Sequence, residues 1–485
     1  MNITIPTSAP DAPITPFWTK CVGSCHAATA LREDWRRQLK KCHDELGFEY
    51  VRFHGILNDD MSVCLRSDDG TIEYSFFNID SIIDFLLSIG MKPFIELSFM
   101  PEALASGSKT VFHYKGNITP PKSYDEWSKL IYALAIHLVE RYGICEVRKW
   151  FFEVWNEPNL DMFWAGTMQD YFLLYQSAAL AIKKIDRELL VGGPATAIDA
   201  WIPDLKDFCD KHHVPLDFIS THHYPTDAAF GLGLNMEEHM ARSERGVLTA
   251  RLRKALVEAD PFPLYYTEWN NSPSPRDTYH DDPYCATFLV KTITDHMKSL
   301  NGKLPACYSF WTFSDIFEEC GLSSLPFHGG FGLLNIHGIP KPSYRAFQML
   351  SHLRGNKLNA CVEKASPTVD CFSCRDRQNI IILLTNYQVP LSPVNEEQIH
   401  IRLKGCKRVR SAALKRIDEN HANPKKAWMD MGSSMSLNSE QIQDLVKASE
   451  PVEECIEMTF DGDETVMEFV ISSQSVVEIA LIVED

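Results

Sequence analysis

From about residue 17 to residue 352, short apolar runs alternate with longer stretches whose apolar residues recur at helical spacing. Eight runs read as strands: 18–24, 50–55, 93–99, 150–155, 189–193, 217–224, 264–269 and 307–313. Between them, 34–45, 79–89, 124–142, 169–184 and 237–258 read as amphipathic helices. Repeated strand–helix units mean parallel strands with covering helices. Eight such units over residues 15–354 suit a closed (β/α)8 TIM barrel, whose usual size is ~250 residues plus insertions. The rival is an open doubly wound sheet. It would bring a Gly-rich phosphate turn after its first strand, and none is present.

Beyond residue 355 the periodicity changes. Short alternating runs at 378–386, 398–403, 455–460, 464–471 and 476–483 predict a C-terminal antiparallel β-sandwich over 355–485, with one helix near 439–447. The Pro-rich opening, residues 1–14, lies outside the barrel pattern and is free to return and pair with that sandwich.

Length and composition narrow the class further. A chain of 485 residues suits two or three domains, and 45% apolar with 11% aromatic residues excludes disorder. The formal charge, 47 basic minus 65 acidic residues, is −18, which opposes nucleic acid and anionic membrane as partners. No apolar run reaches the ~18 residues of a membrane helix; 380–384 is among the longest. The first residues show neither a basic start nor an apolar core of a signal peptide, so a cytoplasmic location is expected. The fourteen cysteines then read as reduced, buried thiols. The Cys371–Cys374 CxxC has no second pair nearby and sits in a strand-like context, so it reads as structural. Trp127, Trp150 and Trp201 read as core residues.

The chemistry is expected at the carboxyl ends of the barrel strands. The fourth run breaks into Trp155-Asn156-Glu157-Pro158-Asn159, and the seventh ends in Thr267-Glu268-Trp269-Asn270-Asn271. The second ends in Arg52-Phe53-His54-Gly55, the sixth in Thr221-His222-His223-Tyr224-Pro225, and the eighth in Phe310-Trp311-Thr312-Phe313. Two glutamates at strand ends, flanked by Trp, Asn, His and Tyr, fit glycoside chemistry. One carboxylic acid protonates the leaving oxygen and a second carboxylate attacks or stabilises the anomeric carbon. A single such Glu would read more simply as a helix cap. His222-His223, with His212-His213 upstream, lacks zincin spacing, so sugar contact and a buried histidine are expected, with no metal and no cofactor.

These motifs resemble glycoside hydrolase family 39 of clan A, and its β-xylosidases in particular. The segments at 116–122, 313–319, 326–334 and 338–342 add to the likeness, which spans about residues 51–347. The resemblance implies a retaining exo-glycosidase that hydrolyses β-D-xylosides and xylo-oligosaccharides from the non-reducing end. It implies Glu157 as acid/base, Glu268 as nucleophile, Asn156 on the sugar 2-hydroxyl and Tyr224 bonded to Glu268. His54, His222, Trp311, Glu318 and Glu319 would line the subsite of the non-reducing sugar. His113-Tyr114 departs from the bulkier aromatic pair expected beside the site, which bears on aglycone preference. The family also contains α-L-iduronidases, but an acidic pair in the sugar subsite would repel a uronate. A non-catalytic sugar-binding protein remains an alternative that turnover of a nitrophenyl glycoside would distinguish. The partner is thus a small oligosaccharide, and a homo-oligomer is left open.

Overall fold

Eight parallel strands close into a barrel: β1 (Cys21–His26), β2 (Tyr50–His54), β3 (Lys92–Leu97), β4 (Phe151–Val154), β5 (Leu190–Thr196), β6 (Phe218–His222), β7 (Leu264–Trp269) and β8 (Cys307–Phe310). The ring shuts where Phe310 of β8 pairs with Val22 of β1. This is a computed structural model, and it describes every residue except 9, 230–232, 234, 301, 407 and 485. The strands are buried on both faces, one by the barrel interior and one by the helices, which is why they read as apolar runs rather than alternations.

The covering helices follow their apolar spacing. In Tyr124–Tyr142 the buried residues Trp127, Leu130, Ile131, Leu134, Ala135 and Leu138 form one stripe, opened by Ser123 capping Glu126 N at 3.4 Å. The single helix expected over 237–258 is two, Met236–Ala241 and Val247–Ala259. The intervening Ser243-Glu244-Arg245-Gly246 breaks the apolar repeat, and Arg245 leaves to bond Thr368 O (2.7 Å) and Tyr387 O (3.0 Å) of the second domain. Trp127 and Trp150 are fully buried, and Trp201 packs half-buried against the same core. Among the described residues, no helix is long and apolar enough to cross a membrane.

Two sheets form the sandwich. One orders its strands Cys361–Glu363, Asn2–Pro6, Glu397–Lys404, Glu464–Ile471 and Met458–Asp461. The other runs Pro10–Pro13, Asn356–Leu358, Val369–Asp376, Asn379–Asn386, Ser475–Val483 and Val409–Ile417. All pairs are antiparallel but one: Asn2–Pro6 runs parallel to Glu397–Lys404. Ile3, Ile5, Ile401, Ile382 and Ile479 meet between the sheets. Cys371 and Cys374 sit in the strand ladder opposite Leu384 and Ile381, and all fourteen cysteines are free thiols, although Cys145, Cys320, Cys361 and Cys455 are exposed and not buried as expected.

Candidate active site

Arg52, on β2, is the centre of the barrel's mouth and is fully buried. Its Nε donates to Glu153 Oε2 (2.5 Å), Nη1 to Glu268 Oε1 (2.8 Å) and Nη2 to Asn156 Oδ1 (2.9 Å). Nη2 also lies 2.8 Å from Glu96 Oε2, which accepts from His54 Nδ1 at 2.7 Å. A buried guanidinium persists only when its charge and donors are matched. Here β3, β4 and β7 each supply one acid to the Arg52 of β2, so the spacing of four strands is fixed by one side chain.

Glu268, at the end of β7, is therefore held on both oxygens: Arg52 on Oε1 and the Tyr224 hydroxyl on Oε2 at 3.1 Å. Glu157 follows β4, with its backbone N donating to Ala195 O at 2.8 Å. Trp155 and Glu157 both adopt left-handed backbone (φ 74° and 44°), a conformation costing about 1–3 kcal/mol each. The Trp155 indole N–H, bonded to Phe163 O at 2.8 Å, helps impose it. An oxygen of Glu157, an oxygen of Glu268 and a ring nitrogen of His222 all lie within 4.8 Å of one another.

The two glutamates differ electrostatically. Burial, then the Glu268 charge, pushes Glu157 well above the ordinary carboxylic range. Burial also raises Glu268, but the Arg52 and His54 charges oppose it. Of the pair, Glu157 is the one held protonated.

His222 explains where that proton points. Burial, then the Arg52 and His54 charges, keeps its imidazole neutral. The Thr267 hydroxyl donates to Glu153 Oε1 (2.9 Å), so its oxygen accepts from His222 Nε2–H (3.0 Å). Nδ1 is thereby left bare, 3.0 Å from Glu157 Oε1, as an acceptor for the acid's proton. Removing the hydroxyl frees the other tautomer, which would donate to ionised Glu157 and favour its deprotonation. Thr267→Val should therefore move the basic limb of the kcat/KM profile to lower pH, by about 0.5–1 unit, with Thr267→Ser restoring it. An unmoved limb in the valine variant would dismiss the relay.

A cavity of about 530 Å³ opens above these groups. His54, Glu157, Tyr224, Asp227, Glu268, Trp311 and Glu319 supply its polar and aromatic floor. Trp311 packs on His54 with ring centroids 4.7 Å apart. Gly23 is required beneath it, because a Cβ there would stand 2.4 Å from the indole. Asn156 has its Oδ1 on Arg52 and its buried Nδ2 without a protein partner, so that N–H is free to donate to a ligand.

The acidic pair divides. Glu319 lines the cavity, and burial, then the Glu268 and Glu96 charges, pushes its carboxyl well up, so it is a neutral hydrogen-bonding group. Glu318 is turned away: its Oε2 lies 3.1 Å from His26 Nδ1, whose Nε2 lies 2.7 Å from Asp60. The pair lies in a turn closed by Gly321 N on Glu318 O (2.9 Å), and His26 captures the outer carboxylate. His113 is exposed, its backbone N bonded to Glu319 O at 3.1 Å, while Tyr114 stacks on His26 at 3.8 Å. The aromatic that reaches the cavity is their neighbour Phe112.

Glu157, His222 and Glu268 are the described residues whose donor atoms converge closely enough for a metal. A guanidinium 2.8 Å from Glu268 opposes a cation there, and His222 already bonds at both nitrogens.

Residues 1–465 match the family model of glycosyl hydrolases family 39. The chain belongs to that family. Relatives of family 39 include a β-xylosidase of Caldicellulosiruptor saccharolyticus, 66% identical over 95% of this chain and 96% of that protein. A β-xylosidase of Geobacillus stearothermophilus is 42% identical over 69% of this chain and 68% of its own. The crystal structure of a monomeric β-xylosidase from Caulobacter crescentus superposes with a TM-score of 0.85 at 35% identity, covering 99% of both chains. As a family 39 member the chain is a glycoside hydrolase with a TIM barrel and a sandwich. Glu96, Glu153 and Asp227 complete its site without having been singled out in the sequence, and Arg52 and Thr267 stood in its motifs without an assigned role.

Proposed function

We propose that this glycoside hydrolase is a retaining β-xylosidase, releasing xylose from the non-reducing end of β-xylosides and xylo-oligosaccharides. The observation carrying the double-displacement reading is the pair of buried carboxylates, with oxygens within 4.8 Å, one protonated and one held by a guanidinium. Retaining sites keep the two carboxyls ~5–5.5 Å apart, whereas inverting sites need ~6.5 Å or more for a water between them.

Glu268 attacks the anomeric carbon as its bond to the leaving oxygen breaks, and Glu157 gives that oxygen its proton. Glu157, now a carboxylate, then takes a proton from the water that displaces Glu268 from the same carbon. Asn156 Nδ2 donates to the sugar 2-hydroxyl, Trp311 stacks on the ring, and His54 and Glu319 hold its remaining hydroxyls. Tyr224 keeps Glu268 oriented and His222 keeps the proton on Glu157. The accompanying division is a catalytic barrel over 15–354 and an accessory sandwich over 355–485 joined by 1–14. A cytoplasmic location is part of this reading, and the −18 charge fits an enzyme without nucleic-acid partners.

Glu319, being neutral, does not repel a uronate. The discrimination against iduronides instead comes from the cavity wall, where no described lining residue is Lys or Arg to neutralise a substrate carboxylate. NMR of the first-formed xylose tests the mechanism: the β-anomer should appear first, and initial α-xylose would overturn double displacement.

A further inference from the structure

Above its polar floor, the same cavity is walled by Phe112, Leu160, Met162, Phe163, Ile198 and Pro275. Met162 is 52% exposed and Ile198 42% exposed, although the two glutamates below are 8% and 5% exposed. Polarity is thus graded with depth. Single exposed apolar side chains are ordinary, but several gathered around one site mark a surface that binds something apolar.

Their position says which part of the substrate that is. Leu160 and Met162 stand on the loop that carries Glu157, and Leu160 N donates to Glu157 O at 3.0 Å. Asn159 ties this loop to the next one, its Nδ2 donating to Ala197 O (3.0 Å) and its Oδ1 accepting from Ala197 N (2.9 Å). Ile198 is therefore braced beside Leu160 and Met162. The acid residue stands on the leaving-group side of the glycosidic bond, so a wall built into its own loops faces the aglycone. A second sugar there would need partners for its hydroxyls. Among the described lining residues not assigned to the xylose or the reacting glutamates, only Tyr224, Asp227 and Cys320 carry polar groups; the Tyr224 hydroxyl is taken by Glu268 (3.1 Å), and Asp227 Oδ2 already accepts from Tyr224 N at 2.9 Å.

We infer that the leaving-group subsite is a hydrophobic collar, and that β-xylosides of apolar alcohols are a substrate class of this enzyme. This rests on the β-xylosidase reading and extends it. The collar gains free energy for each methylene it removes from water, in the Michaelis complex and the transition state alike.

The test is a series of n-alkyl β-D-xylopyranosides from ethyl to hexyl, whose leaving oxygens differ little in acidity. For the native enzyme kcat/KM should rise roughly two- to fourfold per added methylene until the chain outgrows the collar. The Met162→Gln/Ile198→Gln double variant should flatten that slope. A flat series in the native enzyme overturns the inference and needs no variant to do so. Rates that fall as enzyme concentration rises would mean a second copy of the chain covers the wall, which also overturns it. Inactivity on every β-xyloside, ethyl included, would instead remove the β-xylosidase reading and this inference with it.

Discussion

Glu268→Gly should lose turnover on every xyloside by at least about 10⁴-fold, whatever the leaving group, because no covalent intermediate can form. The deletion leaves Arg52 bonded to Glu153, Asn156 and Glu96, so the barrel mouth keeps its central ion cluster. The variant is thus expected to fold, and a second measurement shows whether it has. With α-xylosyl fluoride, the wrong anomer for the native enzyme, the space left by the side chain admits the departing fluoride. An acceptor hydroxyl then attacks the anomeric carbon as the carbon–fluorine bond breaks, its proton passing to Glu157, which ionises more readily once the Glu268 charge is gone, and a β-linked product accumulates. A variant that synthesises but does not hydrolyse confirms the nucleophile. Substantial hydrolysis by Glu268→Gly, or a 2-fluoroxylosyl label found on Glu157, would assign the roles the other way.

Glu157→Ala should instead sort substrates by leaving group. Proton donation contributes about 10²–10⁴-fold, so hydrolysis of xylobiose should fall by that much or more, while a dinitrophenyl xyloside should still glycosylate the enzyme readily. Its slow step becomes release from Glu268, and azide should accelerate it by replacing the water that Glu157 no longer activates, yielding β-xylosyl azide. The pH profile supplies an independent reading. Glu157 must be protonated to act as acid, and burial with the Glu268 charge raises its pKa, so native kcat/KM is lost as pH rises through that raised value. The alanine variant should lack this basic limb. The acid limb, set by the ionisation of Glu268, should remain. Equal losses on xylobiose and dinitrophenyl xyloside would remove Glu157 from acid catalysis.

The barrel was legible because burying a strand on both faces demands a continuous apolar run. The segment 264–269 is found unchanged as β7, and 150–155 contains β4. Likewise 464–471 alternates cleanly and is the strand Glu464–Ile471. Strand Val409–Ile417 was not legible, because Arg410, Lys415 and Arg416 interrupt its alternation on a partly exposed face. At the site, the strand-end motifs announce Glu157 and Glu268, and the cavity forms over both. Glu96, Glu153 and Arg52 carried a fainter signal. Each is a charge inside an otherwise apolar strand, which implies a partner, but which charge meets which depends on the closure of the ring. The orientations of Glu318 and Glu319 depend on His26, almost 300 residues earlier in the chain, and no local pattern encodes that.

The threading of the sandwich has a consequence for how the protein can be made and divided. Asn2–Pro6 lies inside its sheet, between Cys361–Glu363 and Glu397–Lys404, and Pro10–Pro13 edges the other sheet. Residues 2–13 are among the last to find their places, since their partners at 356–404 emerge hundreds of residues later. The barrel strands, residues 21–310, lie between these segments and their partners, so the loop they close contains the whole barrel. A fragment starting at residue 355 would carry an unpaired edge along Glu397–Lys404, a ready template for aggregation. The strand order suggests a better cut: linking residues 2–13 to residues 355–484 would give the sandwich all its described strands in one contiguous piece.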